Sequence, residues 1–457
     1  MWLNFKKIMT YKYEILSQLN KYKGKDKNRL HVPGHKNAGD FKSRFPVAAI
    51  DLTELDFTDD LSCPAGAIKR AQNDIAAIIG AKRAYITTDG SSSGVLAMLY
   101  VAAAYGNKII VPRNSHKSVF NGCRLMNLEP VIVQGAEVEG VLAPPSPELI
   151  ETLIVNDVNI SGMIIASPDY YGNIAPLGQY AEILKKHGRL LFVDGAHGAH
   201  LALNEKREGY AGVYADMWVD GAHKSLPVLT QGAVVAVNDE KLVARTEEAL
   251  SVFRTTSPSF PVMASVEYGY KYFLNNPKFL QRAKAALAEL KNSLGSMAFY
   301  PSQDWTKLAV DFKPLGISPY LAQAYFEKKG IYPEMNDGRY LLFYLSPSIE
   351  PRHLSEFKSV LLSACASKKM KNTYKDVPPV PSAERTYSFL YAYRQKSEWV
   401  PLKSAVGRMC AENAGITPPC LPVVIAGEMV SEQAVLALSK AKSTFGVTDG
   451  MIKVVKR

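Results

Sequence analysis

The sequence predicts an α/β fold with a mainly parallel central sheet covered by helices on both faces, then a smaller α/β domain and a C-terminal domain. Three observations carry this. Short apolar runs alternate with helical spacings between residues 83 and 237, the pattern of strands buried on both sides. Beyond about 265 the pattern changes to long amphipathic helices, "MASVEYGYKYFL" and "KFLQRAKAALAELKNSL", followed by shorter mixed segments such as "YLLFYLSPS" at 340–348. A basic stretch and "VPPVPS" at 377–382 then set off the remaining residues. The boundaries that follow are 1–45 for an arm and opening loop, 46–265 for a large domain, 266–375 for the small α/β domain and 376–457 for the C-terminal domain.

Each element has its own signal. Residues 1–30 read as a helical arm ending in a basic turn, and "RLHVPGHKNAGD" as a Pro/Gly/His-rich loop. Ile68, Ala71, Ile75, Ile78 and Ile79 recur at helical spacing in "PAGAIKRAQNDIAAIIGA" (64–81), which stops at Gly80. "RAYITT" (83–88) is a strand and "SGVLAMLYVAAAYG" (93–106) a helix with a glycine stop. "KIIVP" (108–112), "EPVIV" (129–133) and "MIIAS" (163–167) are strands, and "LGQYAEILKKHG" (177–188) is a helix. "RLLFVD" (189–194), "MWVDGAH" (217–223, a strand into a turn) and "GAVVAV" (232–237) complete the strand set. In such a sheet the crevice at the carboxyl ends of the strands is the expected ligand site.

Composition narrows the function. With 47% hydrophobic and 21% charged residues the 457-residue chain is an ordinary globular one. No apolar stretch is long enough to span a bilayer, and no secretory leader is read at the start. Five cysteines, odd in number and without a C-x-x-C pair, fit a reducing cytoplasm without disulfides or a cysteine zinc site. The net charge is +11, but it is spread, with its densest clusters at 21–29 and 367–375. It therefore reads as solvated surface, or as attraction for anionic substrates, rather than as a nucleic-acid footprint.

Three segments carry chemistry. "TTDGSSSG" (87–94) opens a helix after a strand, where free N–H groups and hydroxyls suit an anion. "VDGAHGAH" (193–200) closes a strand with Asp194. "DGAHKSLPVLTQGAVV" (220–235) places Lys224 just after another strand, where a partly desolvated amine can act as a nucleophile. Asp194 and Lys224 lie thirty residues apart, one strand-to-strand step. His197 and His200 with Asp194 lack further ligands for a metal site. A lysine, a carboxylate and a phosphate-ready helix start are what pyridoxal phosphate needs: a covalent anchor, a partner for the ring nitrogen and a phosphate cradle.

These segments make the chain resemble the ornithine/lysine/arginine decarboxylase family of fold-type-I pyridoxal-phosphate enzymes, in its shorter bacterial form. "RLHVPGHKNAGD", "DLTELDFTDDLSCPAGAIKRAQ", "RNSHKSV" (113–119), "VDGAHGAHL", "DGAHKSLP", "TTSPSFPVMAS" (255–265) and "AVGRMCAENAGITPPCLPVVIAGE" (405–428) look like its motifs in order. The resemblance implies that Lys224 holds the cofactor covalently, Asp194 pairs with its pyridine nitrogen and His116 lies over the ring. It further implies that Ser91, Ser92 and the backbone near Gly90 bind phosphate, with His223 close by. Ala196 would pack beneath the ring and His197 line the site. Thr256 or Ser257 would reach the phosphate of a neighbouring subunit, which implies a homodimer or larger homo-oligomer.

The implied activity is decarboxylation of arginine, lysine or ornithine, in polyamine-precursor synthesis. Glu428, Asp56, Asp59 and Asp60 are candidate partners for the substrate's distal cation. An aminotransferase or lyase on the same fold, with Arg339 holding a substrate carboxylate, is the alternative enzyme. A degenerate regulatory homologue is the non-catalytic one. Three departures bear on this. Gly195 stands where the family usually has an acid, Gly221 replaces the serine of its S-x-H-K motif, and Cys420 replaces the glycine of a Pro-Pro-Gly pattern.

Overall fold

The computed structural model describes residues 11–23, 28–295, 297–375 and 387–457. The start of the arm, part of the basic turn at 21–29, the boundary at 376 and the "VPPVPS" segment lie outside the described residues. In chain order the principal strands of the first half are β1 Arg83–Thr87, β2 Lys108–Pro112, β3 Glu129–Val133, β4 Ile160–Ala166, β5 Leu190–Gly195, β6 Met217–Asp220 and β7 Ala233–Val237. The chain forms two compact units. One holds residues up to Val101 together with Leu191–Ala285 and Ser346–Ser348, and the other holds Ala102–Leu190, Ala286–Leu345 and Ile349–Arg457.

In the first unit the strands run in the order β1-β7-β6-β5. β5 and β6 pair in parallel, with Asp194 opposite Val219 and Gly195 opposite Asp220. β7 runs antiparallel to both β6 and β1. The segment from β6 to β7 contains only the one-turn helix Ala222–Ser225, too little for the helical crossover that a parallel return requires. The chain therefore doubles back, and Lys224 sits in that reversal. The helix Ala67–Ile79 buries Ile68, Ala71, Ile75, Ile78 and Ile79, as their spacing predicts, and stops at Gly80 in the left-handed region (φ 78°). Phe192, Trp218, Val235 and Ile86 fill the strands' interior.

In the second unit β4, β2 and β3 pair in parallel in that order. Strands β8 Lys307–Asp311, β9 Met335–Asn336 and β10 Tyr340–Tyr344 form an antiparallel sheet in the order β8-β10-β9. Helices Pro319–Lys328 and Pro351–Ala366 close its core by bringing Phe326, Phe357 and Leu361 together with Phe343 of β10. The last segment builds two small sheets around Cys410, Val424, Ile452 and Val454. Among the described residues no helix is long and apolar enough to cross a membrane.

Candidate active site

Lys224 is presented by the reversal after β6, where its N–H donates to Gly221 O at 2.9 Å. Its Nζ lies 3.3 Å from His197 Nε2. His197 follows β5 in a turn closed by Gly198 N–H on Gly195 O at 2.8 Å. Asp194, 5% exposed, accepts the N–H of Ala196 at 3.2 Å. Burial raises its pKa, and the charge of Lys224 and the Ala196 N–H offset this only in part. The structure thus brings Lys224, His197 and Asp194 together, with buried Ala196 beside them. An amine nucleophile and a buried carboxylate in one site fit the demands of pyridoxal phosphate.

His223 is fixed by one carbonyl. Its backbone N–H and its Nδ1 both lie 3.1 Å from Gly232 O. A carbonyl only accepts, so Nδ1 carries the proton and Nε2 is left as an acceptor in the neutral ring. Burial lowers the pKa of this imidazole.

The helix Gly90–Ala102 starts beside the same strands. Gly90 adopts φ 74° and spends its N–H on Gln231 O at 2.9 Å, so that donor is not available to a phosphate. Ser93 Oγ is engaged by Gly90 O and Thr87 Oγ1. Half-buried Ser91 and exposed Ser92, with the N–H groups of the first turn, are the groups left to receive an anion. Gly94 has a role that the sequence reading did not assign. A Cβ there would sit 2.5 Å from Val219 Cγ2 and 2.9 Å from Val235 Cγ2, so only glycine lets the helix start approach β6 and β7. A lone glycine inside a helical pattern was the available signal.

The segment carrying Thr256 and Ser257 is tied to this helix start within its own chain, through Thr255 N–H on Asp89 Oδ2 at 3.3 Å. Both Thr256 and Ser257 are exposed in the single chain.

His116 belongs to the second unit, where it caps the helix Lys117–Leu125. Its Nδ1 accepts the N–H of Ser118 at 3.2 Å, so the neutral ring carries its proton on Nε2. The C-terminal segment holds the loop before it. Arg113 forks onto both carboxylate oxygens of Glu428, with Nη2 2.9 Å from Oε2, and donates to Val423 O at 3.1 Å. Lys117 N–H donates to Cys420 O at 3.0 Å.

These contacts bear on the expectations about the substrate. Glu428 is 1% exposed and spent on Arg113 and the Ile425 N–H, so it is not a partner for a distal cation. Asp59 caps the helix Ala67–Ile79, accepting from Ala65, Ile68 and Lys69 N–H, and Asp60 accepts from Ser62 N–H. Arg339, the candidate carboxylate binder of an aminotransferase, is held by Asp311 and Glu139. Among the described residues no three His, Cys, Asp or Glu side chains group as a metal site.

Two sequence patterns of one family match the chain. The sequence pattern of the Orn/Lys/Arg decarboxylase major domain matches residues 14–293, and that of the family's C-terminal domain matches 367–446. The chain is 29% identical to the uncharacterized protein YaaO of Bacillus subtilis over 459 residues, 95% of each chain. It is also 29% identical to an arginine decarboxylase of Halalkalibacterium halodurans over 438 residues, 88% of each. Its fold is similar to the lysine decarboxylase LdcF of Francisella novicida, with a TM-score of 0.81 at 17% identity, covering 98% of this chain and 82% of that one.

Proposed function

Because the chain belongs to the Orn/Lys/Arg decarboxylase family, we propose that it is a pyridoxal-phosphate-dependent decarboxylase that converts a basic amino acid to its amine and CO2. Arginine is the favoured substrate among arginine, lysine and ornithine, in keeping with similarity to an arginine decarboxylase of comparable length. The observation that carries the reading is the Lys224 amine held beside His197 and within the field of buried Asp194.

When bound, the cofactor supplies an electron sink for the pair left at Cα as CO2 departs. Every other task falls to the chain. Lys224 would hold the cofactor through its amine. Asp194, kept out of water, holds a proton on the ring nitrogen. Ser91, Ser92 and the first-turn N–H groups receive the phosphate, with His223 beside it. Ala196 and His197 shape the ring's seat. His116, with its proton on Nε2, would lie over the ring, and it or Lys224 would return a proton to Cα. Thr256 or Ser257 completes the phosphate site of a second copy, so the working unit is a homodimer or a larger assembly.

The test is CO2 and amine release over a panel of amino acids. A basic amino acid gives both products, and Lys224→Ala gives neither. Amino transfer to a 2-oxo acid without CO2 would refute the reading.

A further inference from the structure

A buried carboxyl that the proposed chemistry does not use lies one strand away from Asp194. The parallel register sets Gly195 opposite Asp220 and Asp194 opposite Val219. Side chains alternate along strands, so Asp220 and position 195 share one face while Asp194 points to the other. Asp220 is fully buried. Tyr210 and Tyr270 both donate their hydroxyls to its Oδ2, at 2.7 and 2.9 Å. Trp218 Nε1 steadies Tyr210 from behind at 3.2 Å. Asp220 Oδ1 has no hydrogen-bond partner among the described residues.

That oxygen faces the empty side of Gly195. A Cβ at 195 would lie 3.1 Å from Asp220 Oδ1 and 2.9 Å from Val219 O. One step along, a Cβ at 221 would lie 2.4 Å from Ala196 O and 3.0 Å from Ala196 Cα. The backbone that carries Asp194 and the backbone that leads into Lys224 therefore touch at two points, each open only to glycine. A side chain at 195 and a carboxyl at 220 compete for one space, so Gly195, Asp220 and Gly221 are one coupled set.

We propose that this set is an interlock that positions Asp194 against Lys224, with Asp220 as its positioning residue. Two directional phenol bonds tie the end of β6 to the loop at Tyr210 and to the helix Phe260–Asn275. The reversal that presents Lys224 starts from that tied end. Gly195 and Gly221 then fit the approach of two backbones and do not mark the loss of a site. The inference rests on Lys224 and Asp194 being the cofactor-holding pair.

The experiment uses the cofactor-loaded full chain with Asp220→Leu, which removes the acceptor of both phenols, and Tyr270→Phe. The visible band of the lysine-bound cofactor is titrated against pH, and kcat and KM are measured separately. A misplacement of about 1 Å costs on the order of a hundredfold in rate. Both variants are accordingly expected to shift the band's titration midpoint and to lower kcat tenfold or more, with KM changed less than about twofold. Folded variants with an unchanged midpoint and kcat would overturn the positioning role. If Asp220→Leu does not fold, Tyr270→Phe, which keeps the carboxyl and one hydroxyl, decides by the same readings. A wild-type protein without any band would refute the Lys224 assignment rather than the interlock. In that case the thermal midpoints of cofactor-free Gly195→Ala and Gly221→Ser decide. Both fall by several degrees if the segments are locked, and unchanged midpoints overturn the interlock.

Discussion

Glu428→Ala is expected to be among the most damaging single changes in the second unit. Arg113 and Glu428 are 4% and 1% exposed, so neither has water to fall back on. Removing the carboxylate takes away both acceptors of the guanidinium fork and the acceptor of the Ile425 N–H at 2.8 Å. A buried cation and a buried amide are left unpaired. Breaking a buried pair in this way costs about 3–5 kcal/mol, or a fall of roughly 10 °C in the thermal midpoint for a body of this size. Glu428→Gln, which keeps one oxygen but loses the charge, is expected to cost about 1.5–3 kcal/mol. The double variant Arg113→Met/Glu428→Leu leaves no orphan charge and is expected to recover most of the loss. Urea unfolding suits the measurement because urea does not screen charge. A cost below about 1 kcal/mol for Glu428→Ala, the level of an exposed pair, would refute the reasoning. So would a double variant as unstable as the single one.

Asp220 makes stability pH-dependent: burial pushes its pKa up to about 7 from 3.8, with only the Tyr210 and Tyr270 hydroxyls and, through Tyr210, Trp218 to offset it. Its folded-state pKa is raised, so its contribution is full below about pH 4 and is lost as pH rises through about 7. At about 1.4 kcal/mol per unit this amounts to roughly 3 kcal/mol between pH 5 and 8; the wild-type-minus-Asp220→Asn difference in unfolding free energy should fall by that amount, and a flat difference would count against the buried acid. Gly94→Ala is expected to destabilise by about 1–3 kcal/mol through its collision with Val219 and to weaken cofactor binding. Helix propensity alone predicts the opposite sign, so a thermal melt discriminates. Asp194→Asn should leave the fold intact while lowering decarboxylation by at least about a hundredfold, as kcat with a basic amino acid will show.

The fold was legible wherever side-chain period decides the structure. The helix Ala67–Ile79 and its stop at Gly80 follow from isoleucine spacing, and β5 and β6 follow from apolar runs ending in Asp194 and Asp220. Asp194 stood out because it ends such a run and Lys224 because it closely follows one, and the structure sets them in one electrostatic neighbourhood. The antiparallel return of β7 was not legible, since it depends on the length of the 221–232 connection rather than on its pattern. The partners of long charged side chains were hidden as well. Glu428 and Arg339 looked available for substrate, yet each is spent on a residue far away in sequence. Gly195 and Gly221 read as missing polar groups because a glycine's purpose lies in the backbone opposite it.

The role of Lys224 is tested most directly by finding where the cofactor attaches. The protein is loaded with pyridoxal phosphate, reduced with borohydride and digested, and the modified peptide is identified by mass spectrometry. The label is expected on Lys224, and none is expected in Lys224→Ala. A label on another lysine, or no label on the wild-type protein, would contradict that role.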